Sequence, residues 1–147
     1  MHYDAIVVGA GPAGSTAARE IASRGHTVLL LDRAKFPRDK PCGGGVTVRC
    51  ANLLPFDLSP VVEHVVTGAV MGGPHGRQVT RDAGRTLTYM TQRRRLDAYL
   101  VEHAQRAGVE FRDGNPVRSV IESADGTFTV RVGRTDATAD THTSRVL

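Results

Sequence analysis

The residues best suited to chemistry in this 147-residue sequence are three glycines spaced G-x-G-x-x-G, at Gly9, Gly11 and Gly14. Gly9 allows a tight turn out of a strand. Gly11 lets a diphosphate lie against the main chain, and Gly14 lets a following helix pack closely on the strand. Ala10, Pro12 and Ala13 complete the turn. Pro12 suits a first helical turn, where its missing N–H leaves nothing unpaired. The helix start then offers free N–H groups and a partial positive charge to phosphate. A carboxylate completes the pattern. Asp32 lies 18 residues after Gly14, near the ~20 expected for the acid that accepts hydrogen bonds from an adenosine ribose. The same charge repels a 2′-phosphate, which disfavours NADP there. The motif alone does not separate FAD from NAD.

The elements that must position these residues are legible on either side. Residues 3–8 read as a short buried strand, and residues 12–24 as a helix with a small-residue face at Gly14, Ala17, Ala18 and Ile21. Gly25 ends that helix. Residues 26–31 read as a second strand that stops at Asp32. Strand, helix and strand together make a βαβ unit. Residues 33–45 form a loop rich in Pro, Gly and charge, and 46–54 a short helix or more loop. Residues 61–71 and 85–90 look like strands joined by the turn signals GGPHG and DAG. Residues 94–107 carry Leu96, Tyr99, Leu100 and Ala104 at helical spacing. A short strand at 109–112 and a hairpin of 116–122 with 127–132 around Asp125-Gly126 follow. After Val132 the apolar pattern fails, and residues 133–147 show no clear strand. The expected fold is α/β and Rossmann-like, incomplete, with a peripheral hairpin or meander. It occupies residues 1–132, followed by a divergent or truncated tail at 133–147. Without a return strand, the first strand is expected to keep one bare, sticky edge.

Composition excludes several classes. The net charge of +4 comes mostly from scattered arginines. The run Arg93-Arg94-Arg95 lacks interleaved aromatics that would stack bases, so no nucleic-acid partner is expected. Arg94 and Arg95 read as solvated, or paired with Asp97 and Glu102. No apolar run approaches the ~20 residues of a membrane span, and the N-terminus does not resemble a signal peptide. Two cysteines, Cys42 and Cys50, make no disulfide framework and fit no common zinc spacing. A reducing, cytoplasmic setting without a metal site follows. Cys50 reads as a small core residue. His64, His75 and His103 form no ligand set and read as surface or packing residues. His2 and His26 flank strands and need no catalytic role.

The run LLLDRAKFPRDKPCGGG resembles the geranylgeranyl reductase family of flavoproteins, itself part of the group similar to p-hydroxybenzoate hydroxylase. Arg93 with Leu96 and Asp97 fits that family's R-x-x-[FL]-D helix start. The resemblance covers residues 3–132. It implies an FAD/NAD(P)-binding fold, FAD as cofactor, and NADPH or another donor to reduce it. It also implies hydride transfer from reduced flavin to double bonds of a prenyl lipid, with peripheral membrane contact in the full-length protein. By position, Gly9 to Gly14 would hold the diphosphate, Asp32 and Arg33 the adenosine ribose, and Arg93 the ribityl or phosphate part. Cys42, Gly43 and Gly44 are substrate-pocket candidates. Cys42 either lies near the flavin or is a packed loop thiol; Gly43 to Gly45 either admit the flavin or make a mobile turn. No catalytic residue is identified. The family's later alanine-aspartate-glycine and glycine-aspartate signatures are absent, which implies a weakly active or inactive fragment. Two rivals stand beside this reading: a flavin monooxygenase or halogenase of the same fold, and a nucleotide-binding remnant without activity.

Overall fold

The computed structural model describes all residues except Arg134, Asp136, Ala137 and Thr138. The side chain of His75, and with it the reading of that histidine, also lies outside the described residues. The strands are β1 (His2–Val8), β2 (Val28–Leu31), β3 (Gly45–Thr47), β4 (Val62–Val66), β5 (Gly68–Gly72), β6 (Gln78–Asp82), β7 (Thr88–Thr91), β8 (Glu110–Arg112), β9 (Val117–Glu122), β10 (Phe128–Val132) and β11 (Asp140–Val146). The helices are α1 (Pro12–Ala22), α2 (Val48–Ala51) and α3 (Arg93–Arg106). The chain divides into two compact units, residues 1–39 with 97–147, and residues 40–96.

In the first unit a six-stranded sheet has the order β8-β2-β1-β11-β10-β9 among the described residues. β8, β2, β1 and β11 run parallel; β10 pairs antiparallel with β11, and β9 pairs antiparallel with β10. The middle of this sheet forms because β2 is apolar on both faces. Val28 and Leu30 pack with Ala10, with Ala18 and Ala22 of α1, and with Val101 and Ala104 of α3. Leu29 and Leu31 pack on the other face with Ile6, Val130 and Val132. Full burial of one such aliphatic side chain contributes roughly 1.5–3 kcal/mol. The alanines of α1 let the helix lie close to β1 and β2, which brings the glycine turn over the end of the sheet.

One expectation is overturned here. Residues 140–146 form a full strand, and β1 pairs with β2 on one side and β11 on the other. The bare edge of β1 therefore does not exist. The strand was hidden because its two inward residues are His142 and Ser144, both buried, instead of aliphatic ones. Their polar atoms are largely paired. Ser144 Oγ donates to the Val146 carbonyl at 2.8 Å, and an Arg112 N–H donates to His142 Nε2 at 3.2 Å. The signal present was β-branched, in Thr141, Thr143 and Val146.

His142 leads to a pH prediction. Its ring meets the Tyr3 ring edge-on, and its Nδ1 is buried without a partner. Burial, then the nearby Arg112 charge, pushes its pKa below the ordinary histidine value, and burial does the same to His103. The folded state thus holds fewer protons than the unfolded chain just below the ordinary pKa. Stability is fully present above ~6.5 and falls as pH drops through that value. The midpoint of urea unfolding should therefore fall between about pH 7.5 and about pH 5.5. His142→Gln should flatten that fall; an equally steep fall in the variant would contradict the assignment.

In the second unit, β3, β7 and β4 form one antiparallel sheet and β5 and β6 a two-stranded ribbon. The expected single strand over 61–71 is two strands that part at Thr67, because β4 pairs with β7 and β5 with β6. β6 lies where only turns were expected. α2 is one short turn, with the Thr47 hydroxyl accepting the Cys50 N–H at 3.3 Å. Cys50 is exposed, so it is not a core residue.

Candidate dinucleotide site

The glycine turn sits between β1 and α1, and each glycine has a separate cause. Gly9 has φ +100°, a backbone state that side chains disfavour. Its N–H donates to the Leu31 carbonyl at 2.7 Å, which ties the turn to β2. Gly11 is the N-cap of α1, extended at φ −75°. Gly14 faces back onto the turn, where a Cβ would stand 1.8 Å from the Gly9 carbonyl oxygen. No side chain caps α1, Pro12 occupies its first turn, and that turn holds no acidic residue. The helix start is left as an unopposed set of N–H donors, which is the donor chemistry a diphosphate needs.

Asp32 follows β2 and is buried, 7% exposed. Its Oδ2 accepts the Ala10 N–H at 2.8 Å, and its Oδ1 accepts the Ala34 N–H at 2.9 Å. Sequence reading gave this carboxylate a ligand alone; it also fastens the turn. An ionised carboxylate offers about four lone-pair sites, so two backbone bonds leave capacity for ribose hydroxyls. Arg33, the next residue, is exposed.

Sequence reading missed Arg38 as a partner of Asp97. Asp97 is fully buried, and its Oδ2 lies 3.1 Å from Arg38 Nη1. Arg38 Nε lies 3.7 Å from Asp32 Oδ2. Arg95 instead pairs with Glu63 at 3.2 Å and donates to the Pro60 carbonyl at 2.7 Å, while Glu102 pairs with Arg106. The available signal was Asp97 itself, an acid among the apolar positions Leu96 and Leu100. An acid there is tolerated only with a buried partner.

The other candidates lie in the second unit. Arg93 opens α3 and is half-buried. Cys42 and Gly43 are exposed, and Cys42 Sγ accepts the Gly44 N–H at 3.4 Å. Gly44 is buried with φ +74°, and its carbonyl accepts both the Thr91 N–H at 2.9 Å and the Thr91 hydroxyl at 3.1 Å. A Cβ on Gly44 would stand 1.9 Å from the Thr91 carbonyl oxygen, whereas one on Gly43 meets nothing within 4 Å. Gly44→Ala should therefore cost about 3 kcal/mol through clash and strained φ, and Gly43→Ala less than about 1 kcal/mol. Equal denaturation midpoints for the two variants would contradict this division. Among the remaining histidines, His2 bonds Thr143 at 3.0 Å, His64 is exposed, and His103 meets the Tyr99 ring edge-on at 4.6 Å.

A profile described as FAD binding domain matches residues 2–145. The chain belongs to that family. Membership of the FAD binding domain family supports FAD as the cofactor, within a family of oxidoreductases. It is 42% identical over 119 residues to a geranylgeranyl diphosphate reductase of Rhodobacter capsulatus, covering 80% of this chain and 29% of that one. The structure of a geranylgeranyl bacteriochlorophyll reductase-like protein from Thermoplasma acidophilum superposes with a TM-score of 0.85 at 27% identity, over 99% of this chain and 38% of that one. A myxobacterial chondrochloren halogenase matches at the same TM-score of 0.85 and 27% identity, over 99% and 36%. The chain spans about three tenths of the length of the first curated relatives it matches. Among the described residues no helix is long and apolar enough to cross a membrane.

Proposed function

We propose that this chain holds the ADP half of FAD in a geranylgeranyl-reductase-like oxidoreductase that saturates prenyl-chain double bonds. The observation that carries this is the uncapped N-terminus of α1, with no acid in its first turn, beside the buried carboxylate of Asp32. Gly9 to Gly14 hold the diphosphate by backbone N–H groups. Asp32 accepts from the ribose, with Arg33 alongside. Arg93 is directed to the ribityl or phosphate part, and Cys42, Gly43 and Gly44 border the substrate. Bound and reduced, FAD would supply the hydride for one alkene carbon while a proton goes to the other, and NADPH or another donor would reduce it. The substrate is a prenyl lipid, reached by peripheral membrane contact. The 42% identical reductase supports this reading. The halogenase likeness supports a second one, in which the same FAD half serves oxygen activation.

The cofactor part is tested directly. In calorimetric titrations of the chain, FAD and ADP should each bind at least about tenfold more tightly than NADP, since a 2′-phosphate would meet the Asp32 charge. NADP binding as tight as ADP would refute the role of Asp32. The reaction class is separated by supplying dithionite-reduced FAD with a prenyl substrate, or with oxygen and halide, and identifying the product. A halogenated product without alkene reduction would favour the second reading.

A further inference from the structure

One arginine shared by two buried carboxylates lies directly behind the glycine turn. Arg38 has only 15% of its side chain exposed, Asp32 8% and Asp97 none. The guanidinium carbon sits 5.0 Å from the centre of the Phe36 ring. Phe36 is itself fixed, its N–H donating to Asp113 at 2.7 Å and its ring meeting Phe111 edge-on at 5.1 Å. A planar fork can face two carboxylates and stack on a ring at once, which an ammonium cannot. Buried carboxylates without a cation would be strongly unfavourable.

We propose that Arg38, clamped by Asp97 and Phe36, is the positioning residue of the nucleotide site. It orients Asp32 so that Oδ2 holds the Ala10 N–H, and through that hydrogen bond it sets the shape of the glycine turn. The line of contact runs from Asp97 on α3 through Arg38 and Asp32 to Ala10, one residue before Gly11. It explains why Asp97 is buried at all. It also keeps the guanidinium engaged with carboxylates and away from a 2′-phosphate. The assignment rests on the reading that this turn binds ADP.

Two measurements on the 147-residue chain decide it, with Arg38→Met, the conservative Arg38→Lys and Asp97→Asn. The first needs no nucleotide. Amide exchange of Ala10, followed by NMR, should rise at least about tenfold in each variant while Val7 and Val8 stay protected, because only the Asp32 bond is loosened. Unchanged Ala10 exchange in any folded variant overturns the proposal. Arg38→Lys and Asp97→Asn serve if Arg38→Met does not fold. The second is a double-mutant cycle on ADP affinity. Arg38→Met should weaken ADP about tenfold in the parent and leave it unchanged in an Asp32→Asn background. Losses that simply add would show that Arg38 acts on stability alone, and would overturn the positioning role. A parent chain that fails to bind ADP would instead refute the function reading, with the Ala10 exchange still deciding the brace.

Discussion

Gly14→Ala is expected to destabilise the chain by about 3 kcal/mol or more, a large share of the ~5–15 kcal/mol margin of an ordinary domain. Helix propensity argues the other way, since alanine in a helix gains about 1 kcal/mol over glycine. The clash decides the sign. The added Cβ would lie 1.8 Å from the Gly9 carbonyl oxygen and 3.1 Å from its carbon, both backbone atoms. That carbonyl has little room to yield. The Gly9 N–H is bonded to Leu31 and the neighbouring Ala10 N–H to Asp32. Relief requires α1 to move off β1, which would pull Ala18 and Ala22 from Val28 and Leu30. Urea unfolding of parent and variant measures the difference. A loss under about 1 kcal/mol would show that turn and helix are not in close contact.

The same steric logic explains what was legible from residues alone. The unit of β1, turn, α1 and β2 could be read because each glycine answers a local demand and the strands are continuously apolar. β11 could not, because its inward positions are His142 and Ser144, which hydropathy counts as polar. Their burial depends on Arg112 and the Val146 carbonyl, partners that only the fold supplies. The Arg38–Asp97 contact escaped for a related reason. Both are charged residues that read as surface, and their pairing joins distant parts of the sequence. Gly43 and Gly44 show the limit within one motif. They are adjacent and identical in sequence, yet one is exposed with open space where a Cβ would stand, while the other packs on Thr91. Asp32 was placed correctly as the acid after β2, but its bonds to Ala10 and Ala34 depend on how the turn folds back.

Gly11→Val should abolish nucleotide binding and leave the fold standing, the opposite split from Gly14→Ala. Gly11 is the N-cap of α1 at φ −75° and ψ −177°, extended backbone that a β-branched residue adopts readily. Its carbonyl accepts the Ser15 N–H at 2.9 Å and the Ser15 hydroxyl at 2.8 Å, and neither bond needs a glycine. Replacing glycine by valine at an N-cap costs only about 1 kcal/mol. The backbone conformation therefore gives weak grounds for glycine here. The ligand gives strong ones, since phosphate oxygens must reach the bare N–H groups at the start of α1. A branched side chain at that point denies several charge-assisted hydrogen bonds together, each worth about 1.5–3 kcal/mol. Affinity for FAD and ADP should then fall by at least about a hundredfold. Calorimetry measures the affinity, and circular dichroism with urea unfolding confirms that the variant is folded. A folded Gly11→Val chain that binds ADP as tightly as the parent would mean that the diphosphate does not lie on this turn.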